Sequence, residues 1–473
     1  MDEEKMDEEK RKQQTQILSV KEGVIANISF GFADQYISPY FITLKISSFG
    51  LGLLNAIPNI LGPLFQILGS YLIKNIPRKT IINIAVLSQS LIYIILGLLT
   101  ISIFYKFNIN VYFLILIFSL YIALGGIGWP AWLSLIGDIV EKDKLGNFFA
   151  FRNSMGVIAG TFAGVLAGLL LDTLKITMPN NLLLGFAAIF IIAGILHFIR
   201  IFYFKKHYEP KFEALPEHYF SLISFIKRAP YTNFGRFVIL TSLISFAVNI
   251  SGPYYNLYIF RDLKFSYLQF LILNIVLSLS SFFTFTLWGK IIDKFGSASV
   301  LRAGGFLISL VPLLWFYTIY LDRYFSFIFL IFVHILAGIG WGGYGLAMNN
   351  FIYTSVSRPK RALCSAYHSL ISGVSVLIGS FSGSFIIETF KIILPFNSIM
   401  FASLISGVLR LLGVFMLLIF VKEPLEIRRS LFEAVKYRII KLENFMVNHF
   451  IHFTTEEILS KVFSRFKKLK SKK

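Results

Sequence analysis

FADQYISPY, running from Phe32 to Tyr40, returns 214 residues later as FAVNISGPY, from Phe246 to Tyr254. Phe, Ala, a small residue, Pro and Tyr fall in register, and both copies lie inside long apolar runs. The chain therefore reads as two related halves. Further matches extend outward from this pair: GGIGW ends at Trp129 and AGIGW ends at Trp341. Gly156, Gly160, Gly164 and Gly168 are answered by Ser375, Gly379 and Gly383. Small residues at every fourth position make a smooth helix stripe that lets another backbone approach, so packing rather than chemistry is expected there.

The apolar runs fix the fold class. Hydrophobic residues make up 56% of the 473 residues and the mean hydropathy is +0.71, beyond the range of a soluble domain. Stretches such as 186–199 and 328–339 carry almost no charge and recur at about the 20-residue length that crosses a bilayer core. Only helices or a closed barrel satisfy the backbone in lipid, and the alternation of a barrel is absent. An all-α polytopic membrane protein follows, with about twelve spans. They lie near 20–43, 50–73, 80–104, 111–139, 148–173, 181–204, 236–260, 266–289, 298–320, 325–352, 363–389 and 397–421. Two six-helix halves, 17–204 and 234–421, are expected to flank a central loop at 205–233, with a charged segment at 1–16 and a basic tail at 422–473.

The net charge of +20 does not indicate nucleic acid, because most of it lies between the apolar runs. One set of loops holds Lys74, Arg78, Lys79, Lys142, Lys144, Lys205, Lys206, Lys211, Lys227, Arg228, Lys290, Lys294, Arg358, Lys360 and Arg361. The other holds Lys45, Lys106, Lys175, Arg261, Lys264, Arg323 and Lys391. The excess of cations places the first set, and both termini, in the cytoplasm of a multi-pass protein of the cell membrane. Residues 1–16 have no apolar h-region and are expected to be cytoplasmic and mobile. In the central loop, Pro216 and Pro230 bracket a short segment with the character of a helix lying on the membrane surface. Leu431, Val435, Ile439, Leu442 and Met446 follow helical spacing in the tail, where anionic lipid heads are the expected partner. Cys364 is the sole cysteine, so neither an intrachain disulfide nor a cysteine-clustered metal site is available.

GKIIDKFGS, from Gly289 to Ser297, resembles the loop motif of the major facilitator superfamily. WPAWLSLIGDIV with FFAFRNSMG, and NFGRFVILTSLISFAVNISGPYYNLY, are similar to a broad group of prokaryotic permeases in it. The resemblance covers roughly 17–421 and implies a transporter that works by alternating access. It implies that Gly289 allows tight packing, that Asp293 and Lys294 belong to a cytoplasmic charge lock, and that Gly296 makes the turn. The first-half copy, GSYLIKNIPRK, has Ile73 at the Asp position, while Lys74, Arg78 and Lys79 keep the charge.

Asp34 is the leading candidate for transport chemistry, because an ionised carboxylate inside a span is costly and conspicuous. Gln35 follows it, and Asn249 is the repeat equivalent of Gln35. If spans 1 and 7 line the central cavity, as the resemblance implies, these three meet the solute. Proton exchange at Asp34 is the expected coupling, and a local hydrogen bond that fixes the helix is the alternative. Asp138 closes span 4 and Arg152 opens span 5, so an ion pair between them is expected at the gate, with substrate binding by Arg152 as the alternative that its depth disfavours. His334 and His368 are weighed as proton relays against the commoner role of hydrogen-bonded core histidines. Arg410, deep in span 12, is expected to pair or to reach for the interface.

The sequence contains no P-loop, HExxH or GxSxG, which argues against an ATP-driven pump or a hydrolase. The expectation is a secondary carrier of a small solute, without a cofactor beyond a coupling proton or ion, and monomeric. An exporter of amphipathic compounds is the alternative within transport, favoured by the 51 Phe and 22 Tyr. A membrane-embedded sensor or enzyme is the alternative outside it.

Overall fold

The computed structural model describes residues 2–141, 145–210, 221–356, 360–391 and 397–423. Among them eleven helices are long and apolar enough to cross a membrane. In order these are span 2 (Ser48–Leu72), span 3 (Arg78–Phe104), span 4 (Val111–Ile139), span 5 (Leu145–Thr177), span 6 (Leu182–Lys205), span 7 (Asn233–Leu257), span 8 (Tyr267–Phe295), span 9 (Ser297–Phe316), span 10 (Arg323–Ser355), span 11 (Arg361–Phe390) and span 12 (Ser398–Phe420).

Span 1 is the exception and the informative one. Its helix Asp2–Phe32 gives way to a tight turn at Asp34–Tyr36 and resumes as Ile37–Thr43. Its polar composition is tolerated because protein, not lipid, surrounds it: Ser19, Glu22 and Ser29 are fully buried. The break falls inside the FADQYISPY repeat, whereas its counterpart in span 7 is continuous helix.

Residues 2–16, expected to be mobile, instead extend this helix and dock. Gln16 Nε2 donates to Ile139 O at 3.2 Å, and Thr15 Oγ1 accepts from Tyr208 N at 2.9 Å. Within the 205–233 loop the surface helix is Leu222–Arg228, capped by Ser221, and Pro230 lies in the turn that follows. Pro216, the Lys142, Lys144, Lys211 and Arg358 positions, and the proposed tail helices lie outside the described residues.

The two halves share one plan. In the first, span 1 packs on spans 5 and 6, span 2 on span 4, and span 3 on spans 4 and 6. The second repeats every pairing: span 7 on spans 11 and 12, span 8 on span 10, and span 9 on spans 10 and 12. Between halves, span 2 lies along span 11 and span 5 meets span 8. The small-residue stripes make these approaches possible, since a Cβ on Gly379 would sit 2.3 Å from Phe246 O.

Twelve crossings return the chain to the face from which span 1 starts, the terminal face. At the opposite face one apolar core joins the halves, with Tyr36, Tyr40 and Phe186 beside Tyr267 and Phe270. Toward the terminal face it divides: Ile81, Leu135 and Phe204 serve the first half, and Phe237, Leu301 and Phe351 the second. The halves are thus sealed at one end and parted at the other.

Spans 2, 4, 8, 10 and 12 start at the opposite face and cap themselves, through Ser47, Asn110, Ser266, Asp322 and Asn397, whereas Asn181 before span 6 supplies no side-chain cap. Spans 3 and 9 start at the terminal face behind Pro77 and Gly296, neither of which supplies a side-chain cap. Glu209 and Glu423, each just beyond the last helix of its half, cap them from a distance. Glu209 Oε1 accepts from Arg78 N at 2.7 Å and Glu423 Oε2 from Ala298 N at 2.7 Å.

Candidate functional site

The broken span 1 turns Asp34 toward spans 3, 4 and 6. It stands at the inner end of a cavity of about 670 Å³ that extends toward the terminal face and is lined by first-half residues. Its polar wall combines the amides Asn27, Asn59, Gln66 and Gln89 with Arg152, His197 and Arg200, and Trp129 is half exposed at the side. Span 2 contributes Pro58 and Pro63, which interrupt its hydrogen-bond ladder beside the cavity.

A continuous polar chain leads away from Asp34. Tyr121 Oη donates to Asp34 Oδ2 at 3.5 Å, and the same hydroxyl lies 3.3 Å from His197 Nε2. His197 Nδ1 is 2.8 Å from Arg200 Nη1. A guanidinium only donates, so Nδ1 accepts and the ring proton sits on Nε2, facing Tyr121. Every bond from Arg200 to Asp34 then runs in one direction. Arg200 also reaches Glu22 Oε2, through Nη2 at 3.1 Å and Nε at 3.2 Å. Glu22 Oε1 accepts from Arg152 Nη2 at 2.8 Å, and Arg152 lies over the Trp132 ring at 4.6 Å. Gly23 makes room for that guanidinium, which a Cβ would meet at 2.7 Å.

The charges along this chain cancel only in one protonation state. Glu22 and an ionised Asp34 balance Arg152 and Arg200; a proton on Asp34 leaves one net positive charge in a buried setting. Asp34 itself touches no cation among the described residues. Its partners are hydroxyl groups, which leave the cost of burying a charge largely uncompensated.

Several expected groupings are rearranged. Arg152 pairs with Glu22 rather than Asp138, because the start of span 5 leans on span 1. Asp138 pairs instead with Arg78, a buried side chain that also donates to Ser134 Oγ at 3.0 Å and Pro210 O at 2.9 Å. Asp34, Gln35 and Asn249 do not converge. Adjacent positions at a helix break point different ways: Gln35 Oε1 is buried near Gly164 without a partner among the described residues. Asn249 accepts from Asn55 Nδ2 at 2.8 Å, joining span 7 to span 2.

Nor is Gly289 tightly packed, since a Cβ there would meet nothing within 4 Å. Span 8 stands away from span 5 at that level. Asp293 makes no ion pair among the described residues, and Lys294 lies over the Phe295 ring. Gly296 does make the turn, at φ +85°, and Lys74 sits over the Tyr71 ring. His368 bonds to Thr241 Oγ1 at 3.0 Å in the second-half core. Arg410 neither pairs with a carboxylate among the described residues nor reaches the interface.

At the opposite face, Asp172 of span 5 ties the halves together. Its two oxygens accept from Tyr267 N and Leu268 N, both at 2.8 Å, at the start of span 8. Phe49 of span 2 stacks on Phe381 of span 11 at 5.3 Å.

Sequence reasoning missed Glu22, Tyr121, His197 and Arg200. The signal was present: Glu22, His197 and Arg200 are ionisable groups inside spans 1 and 6, the criterion that singled out Asp34. Only the pairing of span 1 with span 6 joins them.

The sequence model of one family, described as the Major Facilitator Superfamily, matches residues 23–358 and 239–468. No curated protein sequence matches. Among solved structures, the fold is similar to the POT family transporter PepTSo, with a TM-score of 0.65 at 13% identity over 86% of this chain and 97% of that one. A bacterial homologue of the iron transporter ferroportin in an inward-facing state gives 0.64 at 13% identity, covering 87% and 98%. A point mutant of the nucleoside transporter NupG gives 0.63 at 14% identity, covering 87% and 100%.

Proposed function

The chain belongs to the Major Facilitator Superfamily and is a membrane transporter rather than an enzyme, and from that premise we propose that it is a proton-linked secondary carrier of a small polar solute. The observation that carries this reading is the position of Asp34. It joins the inner end of the 670 Å³ cavity to the Tyr121–His197–Arg200–Glu22–Arg152 chain. The cavity's wall of amides and guanidinium groups suits a solute that exchanges hydrogen bonds with water for hydrogen bonds with protein.

In this reading the halves rock about the solute site. The seal at Asp172 and Phe49 opens while the terminal face closes, bringing Gly289, Asp293 and Lys294 of span 8 toward span 5. Asp138 and Arg78 move as one unit at that gate, to which Lys74 adds its charge. A proton on Asp34 neutralises a carboxylate that only hydroxyl groups contact but leaves the Glu22–Arg152–Arg200 cluster with one net positive charge, so loading and release of the proton change the stability of the two states. The loop charges support both termini in the cytoplasm of the cell membrane, which protease access in oriented vesicles tests.

The deciding experiment begins with a thermal-shift screen of the purified protein against small polar solutes, because a bound ligand raises Tm. A hit is then followed in vesicles as gradient-driven uptake and as exchange between equal pools. Asp34→Asn, held in the protonated-like form, should lose uptake driven by a pH gradient and keep exchange. If the variant accumulates solute at the wild-type rate, Asp34 is not the coupling group.

A further inference from the structure

The second half contains a buried cation whose bonding is incomplete, and we propose that it is a binding site for a small anionic group. Arg410 in span 12 is 3% exposed. Its bonds all go to neutral acceptors: Nε to Ser406 Oγ at 3.1 Å, Nη1 to Ile308 O at 2.9 Å and Nη2 to Val248 O at 3.3 Å. A guanidinium has five N–H donors, so two are left over.

Arg410 lines a cavity of about 250 Å³ enclosed by spans 7, 8, 9, 10 and 12. Asn256, whose side-chain amide makes no hydrogen bond among the described residues, lines it too, with Asn274, His334, Trp315 and Trp341. His334 Nδ1 bonds to Leu330 O at 2.7 Å and Asn274 Nδ2 to Phe270 O at 3.0 Å, which fixes both side chains against the wall.

An uncompensated guanidinium inside a membrane protein is costly. The first half meets the same cost at Arg152 and Arg200 with Glu22. No carboxylate does so for Arg410 among the described residues; what stands beside it is a cavity with room for a small monoanion. An anion seated there completes the charge balance and takes the spare N–H groups. Two sources share that chemistry: a free inorganic anion held within the half, or the carboxylate of a carried solute. The site does not depend on Asp34, so it stands even if the coupling proposed there is wrong.

The test uses the purified full-length protein in detergent, in a buffer whose own anions are too bulky for the cavity. Iodide is the probe, since it quenches tryptophan at contact and Trp315 and Trp341 line the site. We expect a saturable quenching component in the wild type, competed by chloride or by acetate. Competition by chloride alone assigns a free ion, and stronger competition by acetate assigns a solute carboxylate. Trp315→Phe should remove much of the saturable component. Arg410→Gln should remove all of it, or weaken iodide by about tenfold or more. If Arg410→Gln does not fold, the wild type and Trp315→Phe decide. Quenching strictly linear in iodide in the wild type, or saturable quenching that survives Arg410→Gln, overturns the proposal.

Discussion

At Asp34 the first half places a carboxylate in a helix break; at the equivalent position of the second, Val248 sits in unbroken helix and offers its carbonyl to Arg410. The surrounding helices pair identically in both halves, so the divergence lies in the polar interior and not in the backbone plan. Among the described residues, the first half sets carboxylates against Arg78, Arg152 and Arg200. The second meets the buried Arg410 with one hydroxyl and two carbonyls, and with no carboxylate among the described residues. Duplication constrains helix-to-helix contacts, where glycines such as Gly31 and Gly379 meet a backbone, far more than it constrains the residues that face a cavity.

The largest effect expected from this contrast is at Glu22. Glu22→Gln leaves Arg152 and Arg200 buried without their shared counter-charge, a loss of about 3–5 kcal/mol. Chemical or thermal unfolding in detergent measures it. Arg410→Gln in the other half should be neutral or stabilising, because it removes a charge that has no carboxylate partner. Equal destabilisation by the two substitutions would break the contrast.

How much of this the sequence disclosed depends on the distance over which the signal acts. The twelve spans, their division and the Phe32–Tyr40 repeat were legible because hydropathy and small-residue spacing are local. The turn at Gly296 was legible for the same reason, as a short motif. Asp34 was singled out by its own cost. Its partners were not, since Tyr121, His197 and Glu22 meet only when spans 4, 6 and 1 pack. The Asp138–Arg152 pairing failed on similar grounds: closeness in sequence favoured it, while Arg78 and Glu22 reached the two groups from other helices. Glu209 and Glu423 lie at the repeat offset of 214 and each precedes a proline, yet their capping role appears only once spans 3 and 9 are in place.

A second, intermediate effect separates the halves at His207, whose repeat position is Val421, 1% exposed. His207 is itself 2% exposed, and neither ring nitrogen has a partner among the described residues. Burial, reinforced by Lys79 and Arg152 and opposed by Glu22, pushes its pKa down from 6.5 to about 4. The unfolded chain therefore binds a proton that the fold refuses. Stability from this group is complete above pH 6.5 and falls as pH drops toward 4, by roughly 3 kcal/mol at most. His207→Val, which installs the second half's residue, should flatten the unfolding midpoint over that window. An unchanged pH slope would show that another group sets it.

The smallest effect sharpens the one feature the halves share most closely, the remote caps. Glu209 also lies 3.6 Å from Nε of the buried Arg78, so Glu209→Gln removes a charge-assisted cap and weakens an ion pair, at a cost of about 1–2 kcal/mol. Glu423 differs. Burial raises its carboxyl pKa above 4.5, although the N–H groups of Ala298 and Ser297 and the charge of Arg302 pull the other way. A carboxyl that holds its proton more tightly when folded contributes most stability below the ordinary carboxylate range, and that contribution is lost as pH rises through the folded pKa. At neutral pH, therefore, Glu423→Gln replaces a penalised charge by an amide that still accepts from Ala298 N, and should cost under about 1 kcal/mol. Paired unfolding curves at pH 7 and pH 5 measure both variants. The Glu423→Gln deficit should shrink further or reverse at pH 7 relative to pH 5, because the wild type alone carries the rising cost. If Glu423→Gln is the more damaging substitution at pH 7, the second-half cap acts as a full charge, and the two ends of the repeat are electrostatically alike after all.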